Sequence, residues 1–513
     1  MARIKTLKFE KNSGGLNTRA SEMVLKPYES PDLLNVKLTK YGAIVKEKGY
    51  TLYNETAIAG EPDVGGIYNY IKSSTGSEYL LVAAGKKLYT ALNGEFTNIT
   101  RVSGDYSENE IWDFATFNDI CIAVNGYDNP QKFNGSSNAE DLEGSPPSGC
   151  AYVEVFKNRV FMAGGPDNPT KLSYSALSNP QDWTTSNDAG WIEVGLNDGQ
   201  KITGLKAFYD VLVIFKERSI YLLTGYSGDP SSSYFFELRP VNSSIGAVSN
   251  RAIVQAGNEI YFLSDKGVYT LSAVQTYGDL SINSISFKIQ PLIDELNKMV
   301  LHKSFAINDF EEDRIWFFVP KGSSTENDLI LIYDYSLNAW TKRSGFSAKS
   351  GLIYKDKYSG NVKFYTGSYN GHLYRQKQGY SYAGQAIVAY YNTPWLNLTN
   401  YRQRKRIRDV QFIIVPTGGY YMGVTYRWDF GDRNNGNLNV YLAGDTALWG
   451  KNNIDSEAGI WNEDKWDSVA AVKNTRIMNG SGNTLQLTFW NSNPDEHFIL
   501  LGWYINIIER GIR

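Results

Sequence analysis

A short apolar run recurs seven times between residues 78 and 368, and this repeat limits the folds open to the chain. Each run opens on Asp, Asn or Glu, and the starts lie 39 to 55 residues apart, ~47 on average. Apolar residues fill the runs almost throughout, as is typical of strands buried on both faces. The runs are EYLLVAAG from Glu78, DICIAVNG from Asp119, NRVFMAGG from Asn158, DVLVIFKE from Asp210, NEIYFLSD from Asn258, DRIWFFVP from Asp313 and NVKFYTGS from Asn361.

Each run has strand-like neighbours on both sides. A segment such as Gly66–Tyr70 precedes it, and a segment ending in an apolar residue and Tyr, such as Leu88-Tyr89, usually follows. Three or four short strands per repeat at this period are typical of propeller blades. The sequence therefore predicts an all-β chain with a seven-bladed β-propeller over residues 64–380. A pair of β-sandwiches with similar hairpin spacing is the alternative.

Composition favours the same fold class. The 513 residues include 36 Tyr, 23 Phe and 12 Trp, and aromatic residues are enriched in strands. One segment instead predicts a helix: Gln290–Val300 has Pro291 in its first turn and places Leu292, Leu296 and Met299 on one stripe.

Two regions lie outside the repeat. Residues 1–63 form an N-terminal extension, in which a hairpin-like stretch from Leu33 to Tyr50 is expected to close the propeller. From residue 381 to 513 the period is lost, while Tyr401–Val415 and Leu485–Ile508 alternate like strands of a sandwich. This pattern predicts a C-terminal β-sandwich-like domain with a Trp/Gly/Asn-rich insertion. The insertion carries three candidate exposed aromatic contacts: Trp449, Trp461 and Trp466.

The net charge and the lack of apolar segments give no indication of a nucleic-acid partner or a membrane span. The formal net charge is −3, so no global field attracts the chain to nucleic acid. No apolar stretch approaches the ~20 residues of a membrane-spanning helix, and no apolar signal segment follows Met1. We expect no membrane span, and we expect Cys121 and Cys150 to be buried free thiols.

Motifs for catalysis are missing from the sequence. His302, His372 and His497 are isolated from one another, and no metal-binding or nucleophile motif is present. Acidic residues at equivalent repeat positions, such as Asp119, Asp210 and Asp313, indicate turn chemistry more than a glycosidase carboxylate pair. We therefore expect no enzymatic activity, no catalytic residues, no metal and no cofactor.

One cationic cluster stands out in the C-terminal region. If the segment Tyr401–Arg408 is a strand, four arginines project to one side of it: Arg402, Arg404, Arg406 and Arg408. Such a row could contact an acidic protein surface or a phosphate backbone, or it could be a solvated strand edge protected by charge. We assign it as a candidate protein interface and keep the other two interpretations open.

Short motifs at both ends and in the middle of the chain resemble one known family. They are Gly14-Gly15-Leu16-Asn17-Thr18, Leu33-Leu34-Asn35-Val36, Tyr41-Gly42-Ala43-Ile44, Lys48-Gly49-Tyr50, Leu172-Ser173-Tyr174-Ser175, Asn179-Pro180-Gln181-Asp182-Trp183, Gly502-Trp503-Tyr504-Ile505 and Glu509-Arg510-Gly511. With these motifs the chain resembles the packaged-DNA stabilisation, or tail nozzle, proteins of short-tailed bacteriophages.

The resemblance implies a β-propeller subunit of a ring, usually of six copies, in the virion tail after assembly in the host cytoplasm. Such a ring extends the DNA channel, helps to retain packaged DNA, and anchors fibre, spike or needle proteins. Its implied partners are copies of itself, the portal-adaptor protein and double-stranded DNA in passage. A carbohydrate- or receptor-binding propeller of a phage tail is the alternative function.

Overall fold

The computed structural model describes residues 4–107, 111–185, 188–227, 235–242, 244–273, 280–431, 435–443 and 471–509. Within these ranges the chain is built from antiparallel sheets, with one short α-helix, Gln290–Asp294, and only brief 3₁₀ turns. The all-β prediction is confirmed. The described 3₁₀ turns are Asn250–Ala252, Phe287–Ile289 and Leu301–Lys303.

Seven sheets follow one another along the chain, and we number them 1 to 7. The strands of sheets 1 to 4 are Val64–Lys72, Ser77–Ala84, Lys87–Leu92 and Glu95–Asn98; Asp113–Phe117, Ile120–Val124, Gln131–Phe133 and Glu140–Asp141; Tyr152–Phe156, Arg159–Ala163, Lys171–Tyr174 and Gly190–Glu193; and Ile202–Phe208, Val211–Lys216, Ile220–Thr224 and Glu237–Asn242. Those of sheets 5 to 7 are Ile253–Ala256, Glu259–Ser264, Gly267–Ala273 and Leu280–Ser284; Phe305–Asp309, Arg314–Val319, Leu329–Asp334 and Ala339–Ser344; and Ser350–Lys355, Val362–Gly367, Leu373–Gln376, Tyr50–Leu52, Ser381–Tyr382 and Gln385–Ala386.

Each of the seven apolar runs is the second strand of its sheet. These strands are buried on both faces; every residue of Arg159–Ala163 and of Arg314–Val319 is buried. Such burial explains why the runs lack the apolar-polar alternation of a half-exposed strand.

Most of the polar residues that open the runs lie in the turns between first and second strands, whereas Glu78 lies within the strand Ser77–Ala84. Asp119, Asn158 and Asp313 adopt left-handed backbone conformations, with φ of 59°, 57° and 55°. Asn and Asp tolerate this conformation better than other non-glycine residues. The sequence-based assignment of Asp119, Asp210 and Asp313 to turns is confirmed.

Sheet 7 takes one strand from the other end of the chain. Tyr50–Leu52 pairs antiparallel with Leu373–Gln376, so that residues 50–52 supply the fourth strand. The Tyr50 ring stacks on Tyr374 at a centroid distance of 4.2 Å and on Tyr382 at 5.2 Å. The preceding hairpin, residues 36–46, does not join this sheet and pairs with Ile499 and Leu500 instead. The expectation that this hairpin supplies the closing strand is therefore corrected, because only the residues after it, 50–52, pair with sheet 7.

In chain order, the first strands of sheets 1 to 4 pack against one another, and so do those of sheets 5 to 7. The first strand of sheet 7 in turn packs against that of sheet 1, and Asn250–Ala252 lies between sheets 4 and 6. Two turns reinforce the contact between sheets 7 and 1, because Lys357 Nζ and Tyr358 Oη both donate to Gly76 O, at 3.2 and 3.3 Å.

Two further sheets combine strands from both ends of the chain. Sheet 8 contains Ile4–Phe9, Val36–Leu38, Ile44–Lys46, Lys405–Val415, Val472–Arg476, Ser481–Gly482 and Ile499–Glu509, and sheet 9 contains Leu33–Leu34, Ala389–Asn392, Tyr421–Trp428, Gly436–Tyr441 and Leu485–Asn491. The sheets face each other: Phe489 of sheet 9 contacts Phe412 and Trp503 of sheet 8, at ring distances of 6.2 and 4.8 Å. Their core is continuous with that of sheets 5 and 6. A short parallel pair, Gly15–Leu16 with Glu29–Ser30, lies outside the nine sheets.

The predicted helix is shorter than its sequence pattern. It ends at Asp294, because Leu296 bridges to Lys321 and Asn297 N donates to Pro320 O at 3.0 Å. Met299 is consequently 88% exposed instead of sharing a buried stripe with Leu292. None of the helices in the described ranges is both long and apolar enough to cross a membrane.

Candidate functional site

Arg251 lies where the first strands of sheets 1, 6 and 7 meet. Its Nη1 donates to Gly65 O at 3.1 Å and to Lys349 O at 2.9 Å, and its Nη2 donates to Lys303 O at 3.3 Å. One guanidinium group therefore satisfies backbone carbonyls that are far apart in sequence. Arg suits this role because its planar group carries five donors in a rigid arrangement.

The residue before it connects the remaining sheets. Asn250 Nδ2 donates to Asp113 Oδ2 at 2.8 Å, and Asn250 Oδ1 accepts from Leu205 N at 2.9 Å. Asp113 Oδ2 also accepts from Val153 N at 2.9 Å. We call Asp113, Asn250 and Arg251 the axial cluster. Its hydrogen bonds reach sheets 1 to 4 and the residues just before sheets 6 and 7, while Asn250 and Arg251 themselves precede sheet 5.

Cavities lie against the axial cluster. One of about 390 Å³ is lined by Asp113, Arg251, Thr203, Tyr127, Tyr152 and Lys201, among others, and we call it the axial cavity. A second, of about 180 Å³, also touches Asp113 and Arg251 and is lined by Trp112 and the first strands of sheets 1, 6 and 7. A third, of about 420 Å³, shares Lys201 and Thr203 with the axial cavity.

Burial changes the ionisation of the axial cluster. It raises the pKa of Asp113 to about 7, although hydrogen bonds from Val153 N and Phe114 N oppose the shift. It lowers the pKa of Arg251 to about 10, which still leaves the guanidinium charged at neutral pH. A carboxyl that titrates near neutrality beside a cavity is a recognised mark of a functional site.

Gly164 allows one wall of the axial cavity to form. Its φ is +80°, and a Cβ atom there would come within 2.6 Å of the Tyr152 ring. The missing side chain therefore lets the Tyr152 ring lie directly on the backbone.

The predicted arginine row lies on sheet 8, but only part of it is in a strand. Pairing begins at Lys405, so Arg402 and Arg404 precede the strand, whereas Arg406 and Arg408 lie within it. A register shift between Ile407 and Asp409 also interrupts the regular alternation. The expectation of one continuous strand is corrected, because a polar turn at residues 401–403 occupies its first part.

All four arginine side chains are nevertheless exposed, while Lys405 and Ile407 between them are buried. Arg404 Nε donates to Ser481 Oγ at 3.1 Å and its Nη2 to Ser481 O at 3.2 Å. Arg408 Nε lies 3.5 Å from Asp409 Oδ2. The arginine row therefore presents several guanidinium groups to solvent on sheet 8.

The other predicted residues do not come together into one site. Trp449, Trp461 and Trp466 lie outside the described residues. His372 Nδ1 contacts Asn54 O at 3.1 Å, whereas the His497 ring stacks on Tyr380 at 3.9 Å in a different part of the molecule. In the part of the chain that the structure describes, no group of three His, Cys, Asp or Glu side chains could hold a metal ion.

Both cysteines are buried free thiols, as predicted. Burial raises the pKa of the Cys121 thiol and raises that of Cys150 to about 12. Neither thiol is therefore an activated nucleophile at neutral pH.

No sequence pattern pointed to the axial cluster. Asp113 begins the first strand of sheet 2, and Asn250 and Arg251 directly precede the first strand of sheet 5. Their positions at first-strand starts were the available signal, but 137 residues separate Asp113 from Asn250 and no local motif joins them.

Comparisons with known proteins give limited information. No family model and no curated protein matches the chain. Among solved structures, selenomethionine-substituted virginiamycin B lyase from Staphylococcus aureus is 10% identical, with a TM-score of 0.42, over 64% of this chain and 99% of that one. A streptogramin B lyase is 14% identical, with a TM-score of 0.40, over 64% of this chain and 97% of that one.

Both neighbours are enzymes by their names, and this finding contradicts the prediction that the chain has no enzymatic activity. That prediction is withdrawn. At these identities and TM-scores, no substrate and no residue role is carried over from the lyases to this chain.

Proposed function

We propose that the chain is a seven-bladed β-propeller with an appended β-sandwich-like domain, and that it is a structural subunit of a tail nozzle or hub ring in a short-tailed bacteriophage. Sheets 1 to 7 would be the blades, over residues 64–380, and residues 50–52 would complete the last blade. The contact of sheet 7 with sheet 1 supports this architecture, because a propeller must join its last blade to its first. Sheets 8 and 9 would form the appended domain of residues 381–513, together with strands from residues 1–63.

The observation that carries the ring proposal is the exposure of the arginine row on sheet 8. Exposed guanidinium groups on an appended sheet suit lateral contacts with acidic surfaces, because each planar group can bind a carboxylate through two hydrogen bonds. The chain has 54 acidic against 51 basic residues, so copies of it carry ample carboxylates for such contacts. The short motifs that resemble those of the nozzle proteins support the same assignment.

In this proposal six copies form the ring, which sits in the virion tail below the portal-adaptor protein and anchors fibre, spike or needle proteins. Packaged DNA would pass along the channel enclosed by the copies. It would not pass through a single subunit, because in a propeller the axial cluster, which joins several sheets by hydrogen bonds, would lie across the middle. A net charge of −3 suits such a channel, since each neutralised phosphate would add affinity that slows the DNA.

Charge reversal in the arginine row tests the proposal. The double substitution Arg404→Glu with Arg406→Glu should prevent ring assembly, because acidic partner surfaces would then repel the row. The melting temperature should stay within a few degrees of that of the original protein, because both side chains are exposed. Light scattering after size-exclusion chromatography measures the assembly, and differential scanning fluorimetry measures the melting temperature.

A matched control reverses two exposed charges on the proposed blades, Lys86→Glu with Lys355→Glu. This variant carries the same change in net charge and should assemble normally. Normal assembly of the arginine variant, or equal loss in both variants, would show that the arginine row is not the interface.

A further inference from the structure

A cavity of about 330 Å³ lies between sheets 7 and 1, and we call it the junction cavity. Tyr354, Tyr365 and Arg375 line it from sheet 7, and Leu80 and Leu92 line it from sheet 1. Its volume lies within the usual range of small-ligand pockets, which begins near about 300 Å³. It shares no lining residue with the cavities around the axial cluster, so it is a separate candidate site.

Two tyrosine hydroxyls in the junction cavity are free of protein partners and within reach of a ligand. Oη of Tyr354 and Oη of Tyr365 make no hydrogen bond to another described residue, and neither atom is cut off from solvent. Burial raises the pKa of both phenols, so both hydroxyls keep their protons at neutral pH. Each hydroxyl can therefore donate a hydrogen bond to a ligand in the cavity.

The guanidinium group of Arg375 lies beside these hydroxyls. Arg375 is exposed, pairs across the sheet with Tyr365, and makes no ion pair with another described residue. Burial raises the pKa of Tyr365, and the charge of Arg375 opposes this shift, so the guanidinium group lies near the Tyr365 hydroxyl. The cavity thus brings neutral donors and one positively charged donor together.

The two carboxylates of the cavity wall already have partners. Asp356 forms an ion pair with Lys363 and accepts a hydrogen bond from Ser359 N at 2.6 Å. Oε2 of Glu78 accepts from Lys357 N at 3.0 Å, and its Oε1 is cut off from solvent. A ligand in the cavity therefore meets free donors more than free acceptors, which favours a ligand with an anionic, acceptor-rich group.

Aromatic and aliphatic side chains form the rest of the wall. Leu92 and Tyr358 line the cavity and are 73% and 75% exposed, so they lie at its mouth. Inside it, the rings of Tyr53 and Tyr365 are in contact at a centroid distance of 5.2 Å. Such surfaces pack against the C–H groups of a sugar ring, while polar groups fix its orientation.

From this arrangement we propose that the junction cavity binds an acidic sugar, a pyranose that carries a carboxylate. The carboxylate binds Arg375 through two parallel hydrogen bonds, because the planar guanidinium group matches its geometry. The hydroxyls of Tyr354 and Tyr365 donate to the sugar oxygens, and the C–H face of the ring packs on Leu92 and Tyr358. All of these groups come from one chain, so this glycan-binding activity does not depend on ring assembly.

Matched acidic and neutral sugars test this proposal. Isothermal titration calorimetry and saturation-transfer NMR compare D-glucuronate with D-glucose and D-galacturonate with D-galactose, because the members of each pair differ only at C6. At least one hexuronate should bind, with a dissociation constant of about 0.1–10 mM, in the weak range expected for a single sugar unit. Its neutral counterpart should bind at least tenfold more weakly, and so should acetate, which has the carboxylate without the ring.

Three substitutions examine the contacts one at a time. Arg375→Gln removes the charge and should weaken hexuronate binding at least tenfold. Tyr354→Phe and Tyr365→Phe should each weaken it at least threefold. Because these hydroxyls bond to no other described residue, both Phe variants should melt within a few degrees of the original protein.

Arg427→Gln and Tyr209→Phe are the matched controls. Arg427 is exposed in the strand Tyr421–Trp428 of sheet 9, Tyr209 is 61% exposed in a turn of sheet 4, and neither lines the junction cavity. Both variants should bind the hexuronate as the original protein does. Absence of binding by both hexuronates at 100 mM would overturn the proposal. Equal binding of the neutral sugar or of acetate, binding that survives Arg375→Gln, or equal weakening in the controls would overturn it as well.

Discussion

Asp113 is the side chain whose ionisation departs most clearly from ordinary behaviour at the axial cluster. The unfolded chain would release its proton near pH 3.8, whereas burial delays the release to about pH 7 in the folded chain. Between these values the folded state holds more protons than the unfolded state. The contribution of Asp113 to the free energy of unfolding therefore falls as the pH rises from about 4 to about 7.

The substitution Asp113→Asn should remove this dependence. An amide oxygen can still accept the hydrogen bonds from Val153 N and Asn250 Nδ2, but it carries no charge to desolvate. At pH 8 the variant should be more stable than the original protein by about 1–4 kcal/mol, since each pKa unit corresponds to about 1.4 kcal/mol. At pH 5 the gain should be smaller.

Denaturant unfolding at pH 5 and pH 8 measures this difference. Asp167→Asn serves as the control, because Asp167 is exposed and should give no gain at either pH. If Asp113→Asn is less stable than the original protein at pH 8, the buried carboxylate stabilises the fold. That result would contradict a raised pKa of Asp113.

At the scale of elements, the sequence revealed the repeat but not its connections. The seven apolar runs could be located because burial on both faces leaves a local pattern. The strand Tyr50–Leu52 could not be paired with Leu373–Gln376, because that pairing joins residues more than 300 positions apart. The pairing of strands from residues 4–46 with the C-terminal strands of sheets 8 and 9 could not be predicted for the same reason.

The arginine row shows a second limit of sequence patterns. Alternation correctly separated the exposed arginines from Lys405 and Ile407. Lys405 itself could not be recognised as buried from its charge, because its Nζ is satisfied by carbonyl oxygens that include Asn397 O at 2.9 Å and Asn483 O at 3.2 Å. The register shift near Arg408 depends on the neighbouring strand and leaves no mark in the row.

The closing strand of sheet 7 makes a prediction at this scale. Tyr50→Ala should lower the free energy of unfolding by about 3–5 kcal/mol, because Tyr50 is 8% exposed and packs on Tyr374, Tyr382 and Phe346. Leu52→Ala, in the same strand but 38% exposed, should cost less than about 1 kcal/mol. Denaturant unfolding of both variants compares them, and equal costs would show that the strand does not depend on the Tyr50 contacts.

The whole molecule has two surfaces with different chemistry. The axial cavity is lined by the first strands of sheets 2, 3 and 4 together with Arg251, whereas the arginine row lies on sheet 8. Assembly should therefore respond to substitutions in the arginine row and not to substitutions in the lining of the axial cavity. Loss of assembly in a variant of the cavity lining would point to a wider structural defect, which an unchanged melting temperature of that variant would exclude.

The mass of the purified protein particle tests the ring proposal most directly. Six copies of the 57.6 kDa chain, six times 57.6, give about 346 kDa, and closed cyclic rings are a common symmetry of identical subunits. Mass photometry across nanomolar to micromolar concentrations should show a dominant species near this mass, which negative-stain images should resolve as rings. A single species of 57.6 kDa at every concentration would contradict a self-assembling tail ring.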